Sequence, residues 1–177
     1  MSNSTEKKEA YKANVASDLA VYNPGTLNII GGLPGTGKTT SAFRLAVEAQ
    51  MQTAYFSMKM TGEKLLSQHA PVDHPDWIHI DDTPSLTPRD VQKKTLQLKE
   101  KYDIKLVVID YLQLMNSSQP HTDSSDRQTS ILNELKEIAI ELQGAVIVLS
   151  QVAQKPESEK GDFGFPIPSC VDNVRVL

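Results

Sequence analysis

Several features that define common protein classes are scarce in this chain of 177 residues. The single cysteine, Cys170, leaves no partner for a disulfide and no thiolate cluster for a metal, which is typical of a reducing compartment. No apolar run is long enough to cross a bilayer, and the polar start has no apolar signal-peptide stretch. We therefore expect a cytoplasmic protein without a membrane partner.

An excess of positive charge is also absent. The formal net charge is -4 and the sequence pI is about 5.5, whereas dedicated nucleic-acid-binding proteins are usually basic. Any contact with DNA is therefore expected to be local. The hydrophobic content of 39% is ordinary for a globular protein, and the length suits one domain with a full core.

One glycine-rich run stands out near the start of the chain. Gly32 to Thr39, GLPGTGKT, fits the G-x-x-x-x-G-K-[ST] pattern of a phosphate-binding loop. Leu27–Ile30 predicts a strand before it and Thr40–Gln50 a helix after it, an order that presents backbone N–H groups to phosphate. Lys38 is expected to reach the β- and γ-phosphates, and the Thr39 hydroxyl to hold Mg²⁺. The predicted nucleotide-binding residues are Gly32, Pro34, Gly35, Thr36, Gly37, Lys38, Thr39 and Thr40.

Apolar strands alternate with helical patterns over the rest of the chain. Helical patterns run from Gln128 to Gln143 and from Thr87 to Tyr102, and Pro88 suits the first position of the second helix. Strands rich in Val and Ile that alternate with helices indicate an α/β fold, a mainly parallel sheet with helices on both faces. The strand candidates are Leu27–Ile30, Thr53–Ser57, Trp77–Ile80, Leu106–Ile109 and Ala145–Leu149.

Two polar side chains follow predicted strands. Asp110 ends the apolar run Leu106–Ile109, and an acid at that place in a phosphate-loop enzyme positions Mg²⁺ through bound water. Gln151 follows the run that ends at Leu149, and its amide is a candidate to sense the γ-phosphate or to orient the attacking water. Asp110 is therefore predicted, with Thr39, as a metal-binding residue.

Two segments lack periodicity and are predicted to be loops, Asn116–Asp126 and Val152–Ser169. Each follows the carboxyl end of a strand, where ligands bind in open α/β sheets. Long irregular loops are either functional or mobile linkers, and the sequence leaves both interpretations open.

The polar, weakly amphipathic residues 1–22 predict an arm or a helix ahead of the core. Beyond them, four runs share one resemblance: Phe56–Met60, Ile80–Thr87, Val108–Met115 and Val148–Gln151. Together these runs resemble the ATPase domain of the DnaB-type replicative DNA helicases, over about Pro24 to Gln154. The resemblance implies that residues 23–177 form a RecA-like P-loop NTPase domain. It also implies ATP and Mg²⁺ as cofactors, ring or filament assembly, and single-stranded DNA contact through residues 116–126 and 152–165.

The sequence departs from that family at an important position. Lys59 stands where the family carries a glutamate thought to activate the attacking water. A lysine is cationic at neutral pH unless its pKa is strongly shifted, so Lys59 cannot act as the base in its usual state. It could contact the γ-phosphate or pair with Asp110. Glu63, one helical turn further on, is a candidate substitute base.

The expected DNA contacts and arginine finger also depart from the family. Residues 116–126 hold two acids and no Lys or Arg, and residues 152–165 hold two lysines against three acids. Phosphate contacts depend on basic side chains, so we expect weak DNA binding. The family's arginine finger lies on a C-terminal hairpin, and this sequence stops at Leu177, around where the preceding strand would form. We therefore expect a C-terminally truncated domain.

Three functions stay open at this point. The first is an ATPase coupled to DNA replication or recombination, with Lys38, Asp110, Gln151 and Glu63 as its catalytic residues. The second is a catalytically weak module that binds ATP or ADP and regulates or loads a helicase or recombinase through protein contacts. The third is a small-molecule kinase, although the four arginines of the sequence form no cluster for a phosphoryl clamp.

Overall fold

The computed structural model of the chain describes residues 22–70, 75–120, 123–152 and 163–177. The predicted N-terminal arm, except Tyr22, lies outside the described residues. Helices and strands alternate along the described part of the chain. The elements are β1 Leu27–Gly32, α1 Lys38–Ala49, β2 Thr53–Ser57, α2 Gly62–His69, β3 Ile78–Asp81, α3 Pro88–Tyr102, β4 Leu106–Asp110, a 3-10 helix Leu112–Leu114, α4 Ser124–Leu142, β5 Ala145–Gln151 and β6 Asn173–Val176.

The strands form one parallel sheet in the order β3-β2-β4-β5-β1-β6. Gly32 at the end of β1 pairs with Gln151 at the end of β5, and Ser57 at the end of β2 pairs with Asp110 at the end of β4. The carboxyl ends of these four strands therefore meet at one edge of the sheet. This edge is where open α/β sheets bind ligands.

Helices cover both faces of the sheet. On one face, Phe43 of α1 and Leu65 of α2 pack in one apolar cluster with Val108 of β4. On the other face, Val91 of α3 and Leu135 of α4 belong to a second apolar cluster. Burial on both faces explains why the central strands are continuous Val- and Ile-rich runs. The predicted α/β fold, with a parallel sheet and helices on both sides, is confirmed.

Most predicted strands differ from the observed ones by one or two residues at their ends, and one helix differs more. Helix α4 begins at Ser124 rather than near Gln128, because the Asp123 carboxylate accepts a hydrogen bond from the backbone N–H of Asp126 at 2.8 Å and caps the helix. The predicted loop over residues 116–126 was therefore wrong for its last three residues. In the second predicted loop, residues 153–162 lie outside the described residues, and residues 163–169 are irregular.

The sixth strand, β6, has no equivalent among the five strand candidates. It is short and polar and lies at the edge of the sheet. A carboxylate just before it fixes its position: Asp172 accepts hydrogen bonds from the Leu27 backbone N–H and from Lys136 Nζ, both at 2.7 Å. These contacts join residues far apart in sequence, so no local pattern predicts them.

Helix α3 begins with a reciprocal cap. The Thr87 hydroxyl oxygen accepts from the Asp90 backbone N–H at 3.2 Å, and the Asp90 carboxylate accepts from the Thr87 backbone N–H at 2.9 Å. The Thr87 hydroxyl also donates to this carboxylate at 2.6 Å, and the hydrogen bonds from Thr87 lower the pKa of Asp90. A carboxyl group with a lowered pKa stabilises the fold above its unfolded pKa, and that contribution is lost as the pH falls through the folded pKa.

We predict that Thr87→Ala lowers the free energy of unfolding by about 1 kcal/mol at pH 7, the usual cost of losing an N-cap. The loss should shrink as the pH falls below about 4, the ordinary range of an aspartate, and through the lowered folded pKa of Asp90, because protonation weakens the bond of Asp90 with the Thr87 hydroxyl. Urea unfolding of the wild type and the variant, at pH 7 and again below about pH 4, measures the difference in the free energy of unfolding at each pH. Gln97→Ala, an exposed position of the same helix, is the control. An unchanged midpoint for Thr87→Ala at pH 7 would contradict the stabilising role of this cap.

Candidate nucleotide-binding site

A cleft opens at the carboxyl edge of the sheet, where β1, β2, β4 and β5 end. The glycine-rich loop and the start of α1 form one wall, and the segment after β2 and the end of α2 form the other. Asp110 and Gln151 contribute the ends of the two strands between them. The lining residues are Pro34, Gly35, Gly37, Lys38, Thr39, Thr40, Lys59, Met60, Gln68, His69, Asp110, Tyr111 and Gln151.

The glycine-rich loop has backbone geometry that only small residues accept readily. Gly35 and Gly37 have φ values of 81° and 87°, in the left-handed region that favours glycine. A Cβ on Gly32 would lie 2.5 Å from Thr36 Oγ1, so a larger residue would displace the loop. Helix α1 begins at Lys38 and directs its amino end toward the cleft. An anion placed there meets free backbone N–H groups and the positive end of the helix.

The Lys38 side chain folds back along the loop. Its Nζ donates to the carbonyl oxygens of Gly32 at 2.7 Å and Leu33 at 2.8 Å. Burial lowers the pKa of Lys38, the nearby Lys59 cation lowers it further, and the Asp110 carboxylate opposes both effects. The Lys38 ammonium group is thus held beside the glycine-rich loop. There it can exchange its contacts with the two carbonyl oxygens for contacts with phosphate oxygens.

Asp110 is the most deeply buried charged residue of the cleft, with 1% of its surface exposed. Its Oδ2 atom meets no partner with good hydrogen-bond geometry in the described part of the chain, but the buried Tyr55 hydroxyl lies close enough to interact with this carboxylate. Burial raises the pKa of Tyr55, and the Asp110 carboxylate raises it further. Burial raises the pKa of Asp110, while the Thr39 hydroxyl, Lys59, His69 and Lys38 counteract this rise. Buried oxygens without partners are rare. A carboxylate oxygen beside a hydroxyl suits a water-coordinated Mg²⁺ ion, so these residues fit the metal that the sequence pattern implies.

Gln151 is held by a second glutamine. The Gln113 side chain accepts from the Gln151 backbone N–H and donates to the Gln151 carbonyl oxygen, both at 3.2 Å. It also donates to the Ser150 hydroxyl at 3.0 Å, and the Gln113 carbonyl accepts from Arg127 of α4 at 3.3 Å. The end of β5 is thus joined to the 3-10 helix and to α4, the two elements that flank residues 115–123.

The structure brings most of the predicted site residues together. Lys38, Asp110 and Gln151 line one cleft with five of the predicted loop residues, Pro34, Gly35, Gly37, Thr39 and Thr40. Gly32 and Thr36 support the loop from outside the lining: the Gly32 carbonyl holds Lys38, and the Thr36 hydroxyl donates to the Leu33 carbonyl at 2.9 Å. These positions leave the assigned roles as predictions.

Glu63 lies elsewhere. It is exposed in the first turn of α2 and is not among the residues that line the cleft. The Thr61 side chain caps this helix, and the carboxylate of Asp82 accepts from the Gly62 backbone N–H at 2.8 Å. Asp110 is the one carboxylate among the lining residues of the described chain. The position of Glu63 gives no support to its predicted role as a base.

Sequence reasoning missed His69 and Gln113. His69 Nδ1 lies 3.1 Å from Thr40 Oγ1, and burial lowers the His69 pKa against the opposing effect of Asp110. No local signal identifies His69, because its approach to Thr40 depends on how α2 packs against α1. Gln113 lies three residues after Asp110, and that proximity was the available signal.

The comparisons with known proteins agree with this geometry. The sequence model of the DnaB-like helicase C-terminal domain family matches residues 72–166, more than half of the chain. The chain belongs to the DnaB-like helicase C-terminal domain family. The match includes Asp110 and Gln151, whereas the glycine-rich loop precedes it, so the loop is independent evidence for a nucleotide site.

Similar curated proteins are longer. The replicative DNA helicase DnaB of Leifsonia xyli subsp. xyli (strain CTCB07) is 31% identical, with 76% of this chain matched to 36% of that protein. The replicative DNA helicase DnaC of Bacillus subtilis (strain 168) is 29% identical, with 80% of this chain matched to 38% of that protein. The chain therefore spans little more than a third of the length of these relatives.

Solved structures share the fold. The structure of a DnaB-like replicative helicase, described together with its interactions with primase, gives a TM-score of 0.66 at 20% identity, covering 84% of this chain and 44% of that chain. A second solved structure, described as an ATPase domain, gives a TM-score of 0.64 at 19% identity, covering 87% of this chain and 73% of that chain. The predicted RecA-like α/β fold is confirmed.

The burial of Asp110 predicts a conflict between stability and function. Because its folded pKa is raised, Asp110 favours the fold most below its unfolded pKa, and this contribution is lost as the pH rises through the folded pKa. We predict that Asp110→Asn raises the Tm of the nucleotide-free chain at pH 7. The gain should disappear below about pH 4, where the wild-type carboxyl group is neutral. Thermal unfolding followed by circular dichroism measures both values, and a lower Tm for the variant at pH 7 would contradict a net cost of this buried charge.

Proposed function

We propose that this chain is the ATP-binding module of a replicative helicase-type protein and that it hydrolyses ATP with Mg²⁺ during DNA replication. The observation that supports this most directly is the buried Asp110 carboxylate in the same cleft as the glycine-rich loop and Lys38. Membership of the DnaB-like helicase C-terminal domain family supports the biological context.

Each residue of the cleft has a distinct proposed role. The backbone N–H groups from Gly35 to Thr39 would bind the phosphate oxygens, and Lys38 would leave its carbonyl partners to neutralise the β- and γ-phosphates. Thr39 and Asp110 would hold Mg²⁺, which when bound neutralises the charge that develops on the phosphates. The Gln151 side chain would contact the γ-phosphate. Because Gln113 holds the Gln151 backbone, this contact would be coupled to the segment that follows β5.

Hydrolysis in this cleft is proposed to be slow when the chain acts alone. The described lining offers Asp110 as its one carboxylate, and that group is assigned to the metal. Lys59 occupies the position from which the family glutamate would act on water. A general base contributes about 10²–10⁴ in rate, so its replacement by lysine leaves catalysis to electrostatic stabilisation and positioning.

Further features of the proposal come from the family rather than from the cleft. We propose that residues 23–177 form the ATPase domain and residues 1–22 an arm, and that the chain works in the cytoplasm as part of an oligomer. In the part of the chain that the structure describes, no helix has the length and apolar character to cross a membrane. Residues 116–126 and 152–165 would contact single-stranded DNA weakly. The similar helicase structure that was described with its primase interactions makes primase a candidate protein partner.

The two competing functions have less support. A module that only regulates or loads a helicase is not favoured, because the chain belongs to the helicase domain family itself. The kinase interpretation lacks a cluster of arginines: none of the lining residues in the described chain is an arginine. Kinase lids use several arginines or lysines to stabilise the transferred phosphoryl group.

We predict measurable ATP hydrolysis that requires Mg²⁺ and is lost in Lys38→Ala, because the substitution removes the cation expected at the β- and γ-phosphates. Steady-state phosphate release, with and without single-stranded DNA, measures it, and stimulation by DNA would support the helicase-type role. Lys64→Ala, an exposed lysine of α2 outside the cleft, is the matched control. Hydrolysis that survives in Lys38→Ala would arise from a contaminant or another site and would contradict the proposal.

We also predict that a carboxylate at position 59 increases turnover. Lys59→Glu places a base in the cleft and should raise kcat by about tenfold or more, although KM for ATP should also rise because a cation is lost. Glu63→Gln should leave kcat unchanged, since Glu63 lies outside the cleft lining. If Glu63→Gln abolished hydrolysis while Lys59→Glu had no effect, Glu63 would be the base.

A further inference from the structure

Lys59 is a charged residue of the cleft lining to which the proposed roles assign no contact with the nucleotide. It follows β2 on a turn whose backbone is fixed on both sides. The Met58 backbone N–H donates to the Asp110 carbonyl at 2.9 Å, and the Ser57 hydroxyl donates to the Met60 carbonyl at 2.7 Å. The first of these hydrogen bonds joins the turn that carries Lys59 to the end of β4, where Asp110 lies, and the second lies within the turn.

The Lys59 side chain itself is exposed and lines the cleft. The ion pairs of the described chain join other residues, so Lys59 brings an unpaired cation to the cleft. Lys59 is also close enough to Lys38 to lower the pKa of Lys38 by repulsion, and close enough to Asp110 to lower the pKa of that carboxyl group.

The position of Lys59 relative to both groups identifies the part of a nucleotide that it would meet. The lysine of a phosphate-binding loop reaches the β- and γ-phosphates, and Thr39 and Asp110 would hold a metal that neutralises charge on these phosphates. The backbone cradle takes the phosphates nearer to the nucleoside. A cation within electrostatic range of both Lys38 and Asp110, on the opposite wall, therefore faces the terminal phosphate.

We propose that Lys59 is a specificity-determining residue that contacts the γ-phosphate and makes the cleft prefer nucleoside triphosphates over diphosphates. The inference rests on the proposed nucleotide-binding function. A γ-phosphate between Lys38 and Lys59 replaces the repulsion of two cations with two charge-assisted contacts. A diphosphate ends before Lys59 and leaves that repulsion in place. Substitution of the family glutamate by lysine thus exchanges a group that acts on water for one that binds the phosphate released by hydrolysis.

The test is the affinity of the full chain for two probes in the presence of Mg²⁺, ADP and a non-hydrolysable ATP analogue, measured by isothermal titration calorimetry. We expect the wild type to bind the triphosphate more tightly. Lys59→Met should weaken triphosphate binding about tenfold, the effect of one charge-assisted hydrogen bond, and leave ADP binding nearly unchanged. Lys59→Arg should keep the preference because it keeps the cation.

Lys64→Met is the matched control, because it removes the same charge from an exposed position outside the cleft; it should change neither affinity. Equal losses for both probes in Lys59→Met, or no loss for either, would overturn the role of Lys59 and leave the nucleotide site standing. Failure of the wild type to bind either probe, or binding that is unaffected by Lys38→Ala, would overturn the proposed function and this inference together.

Discussion

The burial of one carboxylate at the end of β4 is the constraint on which the site depends. Asp110 is almost completely removed from solvent, and its carboxylate interacts with the hydroxyls of Thr39 and Tyr55 rather than with solvent. Such an arrangement costs stability in the free chain, because the charged form is poorly solvated. The cost is offset when a cation or its bound water reaches the carboxylate. The glycine-rich loop is proposed to hold the phosphates beside Asp110. The order of the strands in the sheet brings the loop and Asp110 together.

Strand order and register explain how distant residues meet. Strand β5 lies between β1 and β4, so Gln151 sits between the glycine-rich loop and Asp110. Strand β2 lies on the other side of β4, and its register with Asp110 fixes the turn that carries Lys59. Backbone ladders are stiff compared with long side chains. The sheet therefore sets the spacing of the phosphate loop, the acid and the lysine before any ligand binds.

The family assignment relates the cleft to the DnaB-like helicases, and Lys59 is the main departure from the pattern expected for that family. The chain belongs to the DnaB-like helicase C-terminal domain family, and Lys59 stands where the resemblance to that family predicts a glutamate. We propose that a lysine there favours binding of the intact triphosphate, whereas a carboxylate would favour its hydrolysis. The balance between those two activities is thus expected to depend on a single residue of the turn after β2.

The sequence was sufficient for the parts of the site that depend on local patterns. The glycine-rich loop, Asp110 and Gln151 each follow a strand with a clear apolar run, so their common edge followed from a parallel sheet. Other parts depend on contacts between residues far apart in the chain. His69 reaches Thr40 only through the packing of α2 on α1, and β6 depends on Asp172 binding the start of β1. Whether Glu63 lines the cleft likewise depends on how α2 packs, and the structure leaves it exposed and outside the lining.

A crystal structure of the chain grown with Mg²⁺ and a non-hydrolysable ATP analogue would show whether Asp110 and the glycine-rich loop form the nucleotide site. We expect phosphate density along Gly35 to Thr39, a metal between the Thr39 hydroxyl and Asp110, and Lys38 released from the Gly32 and Leu33 carbonyls. Nucleotide bound elsewhere, or a bound nucleotide that leaves Asp110 without a metal and Lys38 on its carbonyl partners, would contradict this assignment.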